Sequence, residues 1–423
     1  MNFRVTPRVG WVLALALVVR PWTPCRADEP PRRPLRLADV LELARRNRAE
    51  IAVARARARA AAERPAIVSG LEDPMISPSL DHLPFALHGA DFSLAVEQRF
   101  PLSGVRGYRR RVAEADAQRL RAETDRIGLD VELDAAGAFL MLHERRQMVA
   151  IVDSQLALAR QLVAAASARY AGGTGSQPEV LRAEVEVSRL EGAARALRAE
   201  VEGAEAMLNT SLAQDPETEI PPLESAPLVA LPAAWPEVRE RALAGRPELA
   251  AGRAELRGAE AEVSAMDSMD SPMAMVRTGP AYTMTDGAGW MVMVGLSLPL
   301  WRDRINSGVR EAQAMVEMSR ADLDAMTRMI EGDAAAARHR VLASRERFLA
   351  LRDEIIPRTR RLIEPSLAGY SAGTLPLVSV TETTQTLWAA ESELVAAEFE
   401  LGLAWVRLER ATAAQAPFGE ARP

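Results

Sequence analysis

The sequence predicts a mainly α-helical protein with a small β part that spans a membrane. Three observations lead to this fold class: an apolar content of 48% with only 4% aromatic residues, an internal duplication, and a few segments in which apolar and polar residues alternate. Most of the apolar residues are Ala, Leu and Val, and this composition is typical of long, closely packed helices and not of a bulky globular core. Strict alternation, by contrast, is typical of a strand with one apolar face.

Residues 1–27 have the layout of a secretory signal peptide. A basic start precedes an apolar run over residues 9–19, and Cys25-Arg26-Ala27 follows it. This run is shorter than the roughly 20 residues that a membrane helix needs, and no later stretch approaches that length. We therefore expect the mature chain to lack a membrane helix. Cys25, the single cysteine, is either lost with the signal peptide or kept as a lipid-modified first residue.

The charge argues against a nucleic-acid partner. The net charge is −6, and without the four arginines of residues 1–27 it becomes 48 minus 58, or −10. A surface that neutralises phosphates needs an excess of positive charge. No catalytic constellation is visible either, because the four histidines lack metalloprotease spacing and the Gly172–Gly175 stretch lacks the lysine of a phosphate loop. We expect neither an enzyme nor a cofactor.

The chain contains a tandem duplication with a period of 198 to 200 residues. Position 48 corresponds to position 246, and position 170 corresponds to position 370. Arg48-Ala49-Glu50-Ile51 returns as Arg246-Pro247-Glu248-Leu249, and the Tyr170–Thr174 stretch returns as Tyr370–Thr374. Such self-similarity fixes the architecture before any single motif does. We expect a first repeat at 28–214, a proline-rich linker at 215–235, a second repeat at 236–416 and a tail at 417–423.

Each repeat is predicted to hold a first helix, two strands and a long helical hairpin. The first helix is expected at 37–65 and again at 236–265, and the proline-free span 105–170 predicts a helix on the order of 100 Å long. Apolar residues recur every seven positions in the long helices, which predicts coiled coils with left-handed supercoiling. In the last helix, leucines at 387, 394, 401 and 408 alternate with alanines at 390, 397, 404 and 411.

Four segments are predicted as strands, at 75–84, 92–102, 273–284 and 290–300. In 92–102 and 290–300 the even positions are mostly apolar and the odd positions are mostly polar, charged or small. This pattern is typical of a transmembrane β-barrel strand with its apolar face toward lipid and its polar face toward the lumen. Four strands do not close a barrel, and an open edge is not tolerated in lipid. We therefore expect several chains to contribute to one barrel.

Three motifs resemble those of a known family. They are the strand exit Glu97–Gly104, the turn Arg169–Gln177 that runs into Val180–Glu184, and the helix end Leu208-Asn209-Thr210. With the duplication, they make residues 36 to 413 similar to the TolC family of outer-membrane efflux proteins. Within that family, Asp73-Pro74-Met75 and residues 183–191 resemble the heavy-metal efflux branch, whose members are CzcC-like and CusC-like.

The resemblance implies a homotrimer in which each chain gives four strands to a shared twelve-stranded barrel that continues into a long coiled-coil α-barrel. It implies an outer-membrane location with a periplasmic helical extension. The implied function is a passive exit duct, docked through a periplasmic adaptor to an inner-membrane pump of RND type. Heavy-metal cations such as copper or silver are the first choice of cargo, with organic compounds and type I protein secretion as alternatives. A soluble periplasmic coiled-coil adaptor is the more distant alternative.

Two sets of residues are candidate sites. In the family, the turns between the long helices form the closed end of the duct and meet the adaptor, which here implicates Tyr170, Gly173, Thr174, Tyr370, Gly373 and Thr374. Strand parity places four methionines on the lumen side, because Arg277 shares their odd-numbered face: Met273, Met275, Met291 and Met293. Thioethers are soft ligands suited to Cu(I) and Ag(I). We expect these methionines either to contact such cations or simply to fill space in the barrel.

Overall fold

The computed structural model describes residues 33–81, 91–224 and 230–413. The predicted signal peptide with Cys25 and the predicted tail at 417–423 lie outside these residues. The first repeat contains β1 (Leu35–Arg36), α1 (Leu37–Asn47), α2 (Ala49–Ser69), β2 (Met75–Asp81), β3 (Asp91–Pro101), α3 (Val105–Ala171) and α4 (Gln177–Ser211). Strand β4 (Leu223–Glu224) lies in the predicted linker. The second repeat contains α5 (Trp235–Gly245), α6 (Pro247–Asp267), β5 (Met273–Thr283), β6 (Gly287–Ser297), α7 (Arg302–Leu349), α8 (Ile356–Ser371) and α9 (Leu377–Thr412).

The first helix of each repeat is two helices, which corrects the single helix predicted at 37–65 and 236–265. The backbone is extended at Arg48 (ψ 124°) and at Arg246 (ψ 119°). Pro247 explains the second break, because a residue before proline avoids helical dihedrals. Across both breaks the arginine pairs with the acid two residues later, Arg48 with Glu50 and Arg246 with Glu248.

The long helices differ between the repeats. Helix α3 runs unbroken for 67 residues, which at about 1.5 Å per residue gives on the order of 100 Å, as predicted. The equivalent span in the second repeat is α7, a π-helical segment at Ala350–Ile355, and α8. Pro357 stands in the first turn of α8. Because proline offers no N–H to the helix, the wider π turn before it absorbs the interruption.

One described helix, α3, is long and apolar enough to cross a membrane by length and composition. This differs from the expectation that no stretch after the signal peptide would qualify. The apolar residues of α3 have partners within the chain, however. Leu156 and Ala159 are buried together with Leu190 of α4 and Trp388 of α9. Packing between helices therefore covers part of the apolar side of α3.

Small residues let α9 approach its neighbours closely. The alanines at 390, 397, 404 and 411 are all buried, as the predicted heptad seam requires. A Cβ at Gly402 would lie 3.0 Å from the side chain of Leu140 in α3. A larger residue at this position would have to displace the Leu140 side chain. The alanine seam predicted for this helix is therefore buried, while the supercoiling stays a prediction.

Each repeat has its own apolar core near the short helices. One cluster surrounds Phe139 and Leu208 and joins α1, α3 and α4. Its counterpart surrounds Ile330 and Phe348 and joins α5, α7 and α9. Val406 of α9 belongs to the first cluster, so the last helix links the two repeats.

Both repeats contribute to one antiparallel sheet in the order β2-β3-β5-β6. The pairing of β3 with β5 joins the repeats, with Glu97 opposite Arg277. Strands β2 and β6 form the two edges of this sheet. The even-numbered apolar residues point out of the structure and are exposed: Phe92, Leu94, Val96, Trp290, Val292, Val294 and Leu296. The predicted alternation is therefore present in the sheet.

Candidate lumen face and hairpin-end site

The odd-numbered face of the sheet carries its charged residues. In β3, Ser93, Ala95 and Glu97 are buried while their even-numbered neighbours are exposed. Glu97 pairs with Arg99 at 3.3 Å and lies opposite Arg277 in the strand register. One face is thus apolar and the other polar, as expected of a sheet between lipid and a water-filled interior.

The structure places all four predicted methionines on this odd-numbered face but puts no two of them directly opposite each other. Their register partners are Ser297 for Met273, Gly295 for Met275, Gly279 for Met291 and Arg277 for Met293. Among the described residues, no group of three or more His, Cys, Asp or Glu side chains is placed to hold a metal. The register places the four thioethers on one surface of the sheet, with no two of them directly across from each other.

Sequence reasoning overlooked a fifth methionine on the same face. Met75 of β2 lies opposite Glu97, so one row across the sheet reads Met75, Glu97, Arg277 and Met293. The odd number of Met75 would have placed it on this face, but the proline at 78 obscured the alternation of apolar and polar residues in this strand. A guanidinium next to Met293 opposes a bare cation at this level of the face.

The two turns between the long helices share one backbone geometry. Gly173 has φ +72° and Gly373 has φ +77°, a left-handed conformation that favours glycine. In each turn the glycine N–H donates to a tyrosine carbonyl oxygen three residues back, and the threonine N–H donates five residues back. These are the two hydrogen bonds of a Schellman motif, which satisfies the last carbonyl groups of the helix. The two glycines therefore stand at equivalent positions because both turns require a residue that tolerates the left-handed backbone conformation.

The two turns differ in how their tyrosines are placed. Tyr170 is 51% exposed, whereas Tyr370 is fully buried in a cluster with Leu162 and Ala166 of α3 and Ala183 of α4. The hydroxyl of Tyr370 has no hydrogen-bond partner among the described residues. Burial and the nearby Glu179 carboxylate raise the pKa of Tyr370, so this side chain stays neutral.

Arg169 joins the two turns. Its NH1 donates to the carbonyl oxygen of Tyr370 at 2.8 Å, and its NH2 donates to that of Thr174 at 3.2 Å. Its guanidinium also lies 4.6 Å from the centre of the Tyr370 ring. The sequence motifs did not indicate this bridge. The signal was available in the duplication, because Gly369 stands where the second repeat would carry the matching arginine.

Gly369 has a steric reason of its own. A Cβ at that position would lie 2.7 Å from the side chain of Leu375. A larger residue at 369 would have to displace Leu375, and because position 369 is a glycine, the second repeat has no arginine there to form the reciprocal bridge.

A cavity of about 310 Å³ lies between the hairpins, close to these turns. It is bounded by α3, α4 and α9. Residues on its wall include Leu162, Arg182, Glu186, Thr381, Glu382 and Trp388. The hairpin ends thus contain a recess lined by positively and negatively charged side chains. It lies close to the two turns that the sequence predicts as adaptor contacts.

Comparison with known proteins points to one family. Residues 238–414 match the family described as outer membrane efflux protein. The chain is also similar to the outer membrane efflux protein BepC of Brucella suis, with 24% identity over 315 residues that cover 72% of this chain and 68% of BepC. Proteins of this family are transport proteins and not enzymes.

Solved structures show the same fold. The outer-membrane channel OprN superimposes with a TM-score of 0.75 at 18% identity, covering 89% of each chain. CusC, whose structures concern transmembrane channel formation, gives a TM-score of 0.77 at 13% identity and covers 89% of this chain and 91% of its own. The second half of the chain therefore matches the outer membrane efflux protein family, and the whole described chain shares its fold with these channels.

Proposed function

We propose that this chain forms the outer-membrane exit duct of a tripartite efflux system. The observation that carries the proposal is the sheet, whose even-numbered face is apolar and exposed and whose edges, β2 and β6, have no partner strand among the described residues. Lipid tolerates no open strand edge, so β6 of one chain pairs with β2 of the next until the barrel closes. Three copies give twelve strands.

The helical part forms the periplasmic section of the duct. Channels of this family form trimers and work with an adaptor and an inner-membrane pump. We assign adaptor contact to the two turns at 170–174 and 370–374, beside the cavity between the hairpins. Arg169 holds these turns together, which makes it the contact to be released when the duct opens. The pump is of RND type in this proposal.

The rival function is a soluble periplasmic coiled-coil adaptor. The exposed apolar face of the sheet disfavours it, because a soluble protein does not leave such a surface uncovered. Flotation separates the two functions. The duct floats with outer-membrane vesicles in a density gradient, and the soluble adaptor stays at the bottom with periplasmic proteins. Restored export when the gene complements a deletion strain supports the duct further.

The cargo is a separate proposal. We propose export of soft cations such as copper or silver, with transient thioether contacts along the odd-numbered face. The support is the four methionines that share this face. None of the residues directly opposite them in the strand register is a methionine, which fits brief contacts with a passing cation better than tight binding. Organic-compound efflux and type I secretion are the alternatives.

Metal retention tests this cargo. A deletion strain retains more copper and silver than the same strain complemented with the gene, and equal retention contradicts the metal cargo while leaving the duct intact. Silver binding to the purified protein then addresses the methionines. A variant with Met273, Met275, Met291 and Met293 changed to Leu binds less silver, and equal binding shows that these residues only fill space.

A further inference from the structure

A cavity of about 350 Å³ lies where the sheet meets the long helices. Its strand residues are Arg99, Pro101, Met273 and Ser297, all from the odd-numbered face. The cavity therefore opens on the side of the sheet that we assign to the lumen. Its volume lies in the range of pockets for small molecules, which is roughly 300 to 1,000 Å³.

The polar wall of this cavity is strongly basic. Four arginines line it, Arg99, Arg106, Arg109 and Arg304, against a single acidic residue, Glu72. Arg99 pairs with Glu97, and Arg106 donates to the carbonyl oxygen of Ser69 at 2.8 Å.

The other two arginines, Arg109 and Arg304, have no ion-pair partner among the described residues. Their charges face the cavity with little compensation.

The ends of two long helices add to this positive potential. Helix α3 begins at Val105 and has no acidic residue in its first turn, although Arg106 lies there. Helix α7 begins at Arg302, whose charge is paired with Asp270, and its first turn also holds Asp303. Helix N-termini carry a partial positive charge and normally attract acidic side chains. The first turn of α3 has no such acid, so an anion in the space in front of it is favoured.

The lining also includes apolar side chains. Trp301, which is 78% exposed, contributes to it together with Leu71, Val105, Met269 and Ile305. An exposed indole in a lining that also holds arginines offers a surface for an aromatic or aliphatic body, while the guanidinium groups bind an acidic head group. The basic and apolar parts of the lining together match a ligand with one anionic end.

We propose that this cavity is a binding site for anionic amphiphiles, such as aromatic sulfonates or carboxylates, on their way through the duct. The inference rests on the proposed duct for its role and not on the metal cargo. Arg109 and Arg304 bind the anionic head group, and Trp301 contacts the apolar body. An uncharged molecule of the same shape lacks the charge-assisted hydrogen bonds and binds more weakly.

Calorimetric titration of the full-length protein in an uncharged detergent tests this site. The probes are naphthalene-2-sulfonate and its uncharged analogue naphthalene-2-sulfonamide, each corrected by a titration into detergent alone. The wild-type protein is expected to bind the sulfonate at least about tenfold more tightly than the sulfonamide. Equal affinity for the two probes overturns the proposal, and this comparison needs no variant.

A pair of matched double variants locates the binding. R109Q/R304Q removes two charges from the cavity wall and is expected to weaken sulfonate binding at least about tenfold. R110Q/R302Q removes two charges from the same helices outside the wall, where Arg110 pairs with Glu114 and Arg302 with Asp270. It is expected to keep affinity within about threefold of wild type. Equal losses in the two variants contradict the assignment.

Failure of this inference is distinguishable from failure of the duct. A protein that floats with the outer membrane and restores export, yet binds the two probes equally, overturns only the anion site. A protein that stays soluble overturns the duct, whatever it binds.

Discussion

The guanidinium of Arg169 lies over the ring of the buried Tyr370, 4.6 Å from its centre, and donates a hydrogen bond to the backbone of that same residue. One side chain from the first repeat thus contacts the end of the helix in the second repeat. Both contacts depend on the positive charge and the planar shape of arginine.

Arg169→Gln is expected to loosen the hairpin ends. The variant loses a charge-assisted hydrogen bond of about 1.5–3 kcal/mol and a cation–π contact of about 0.5–2 kcal/mol. Conductance in planar bilayers is therefore expected to rise, since the turns no longer hold each other. Arg361→Gln, which removes an exposed charge from α8, is the control. Equal conductance of both variants and wild type contradicts a role of Arg169 in closure.

Tyr370 is expected to contribute through its ring and not through its hydroxyl. Because the hydroxyl has no partner in the described part of the chain, Tyr370→Phe is expected to leave the free energy of unfolding unchanged or raised by about 1 kcal/mol. Tyr370→Ala removes a fully buried ring and is expected to cost about 3–5 kcal/mol. Thermal unfolding followed by circular dichroism measures both. A large loss in the Phe variant indicates that the hydroxyl has a partner in the assembled protein.

Gly173→Ala and Gly373→Ala are each expected to destabilise the hairpin end by about 1–2 kcal/mol, because alanine is strained at positive φ. Gly192→Ala is the matched control. Gly192 lies inside helix α4, and nothing lies within 4 Å of an added Cβ. This change is expected to stabilise by about 0.4–1 kcal/mol. If all three substitutions change the melting temperature in the same direction and by the same amount, the backbone at the two turns is not left-handed.

Glu409 of α9 gives the protein a pH dependence. Burial, and then the charge of Glu132, raise the pKa of Glu409 to about 8 from its usual 4.5. The folded protein therefore binds a proton that the unfolded chain has released between these values. The stability contributed by this group is complete below about pH 4.5 and is lost as the pH rises through about 8.

Glu409→Gln is expected to flatten the fall in melting temperature between pH 5 and 8, because glutamine does not ionise. Glu202→Gln, an exposed position on α4, leaves the slope unchanged. Unfolding curves at pH values on both sides of this window measure the effect. A slope that is the same in both variants and wild type shows that Glu409 is not the titrating group.

Much of this fold was predictable because its signals are local. The alternation in β3 and β6, the alanine seam of α9 and the two turn glycines each follow from spacing along one element. The break at Arg48 has no local signal, since Ala49 favours helix. Only the proline at the equivalent position of the second repeat, Pro247, indicates an interruption there. The π turn before Pro357 depends on how a long helix accommodates one proline within a packed bundle.

The parts of the sites that sequence reasoning missed depend on contacts between repeats or between distant segments. Arg169 reaches Tyr370 across 201 positions of the chain, and no periodicity encodes that contact. The basic cavity likewise gathers Arg99 from β3, Arg109 from α3 and Arg304 from α7. Methionine parity was readable from the sequence, but the register that keeps the methionines apart came only from strand pairing.

Disulfide cross-linking in outer membranes tests the central claim, that several copies close one barrel through β2 and β6, most directly. Ser77→Cys in β2 is combined with Gly289→Cys, Met291→Cys or Met293→Cys in β6, since all four positions share the odd-numbered face. We predict that oxidation of at least one pair yields a covalent trimer in the floated outer-membrane fraction. Monomers in the soluble periplasm from every pair would contradict the shared barrel and with it the duct.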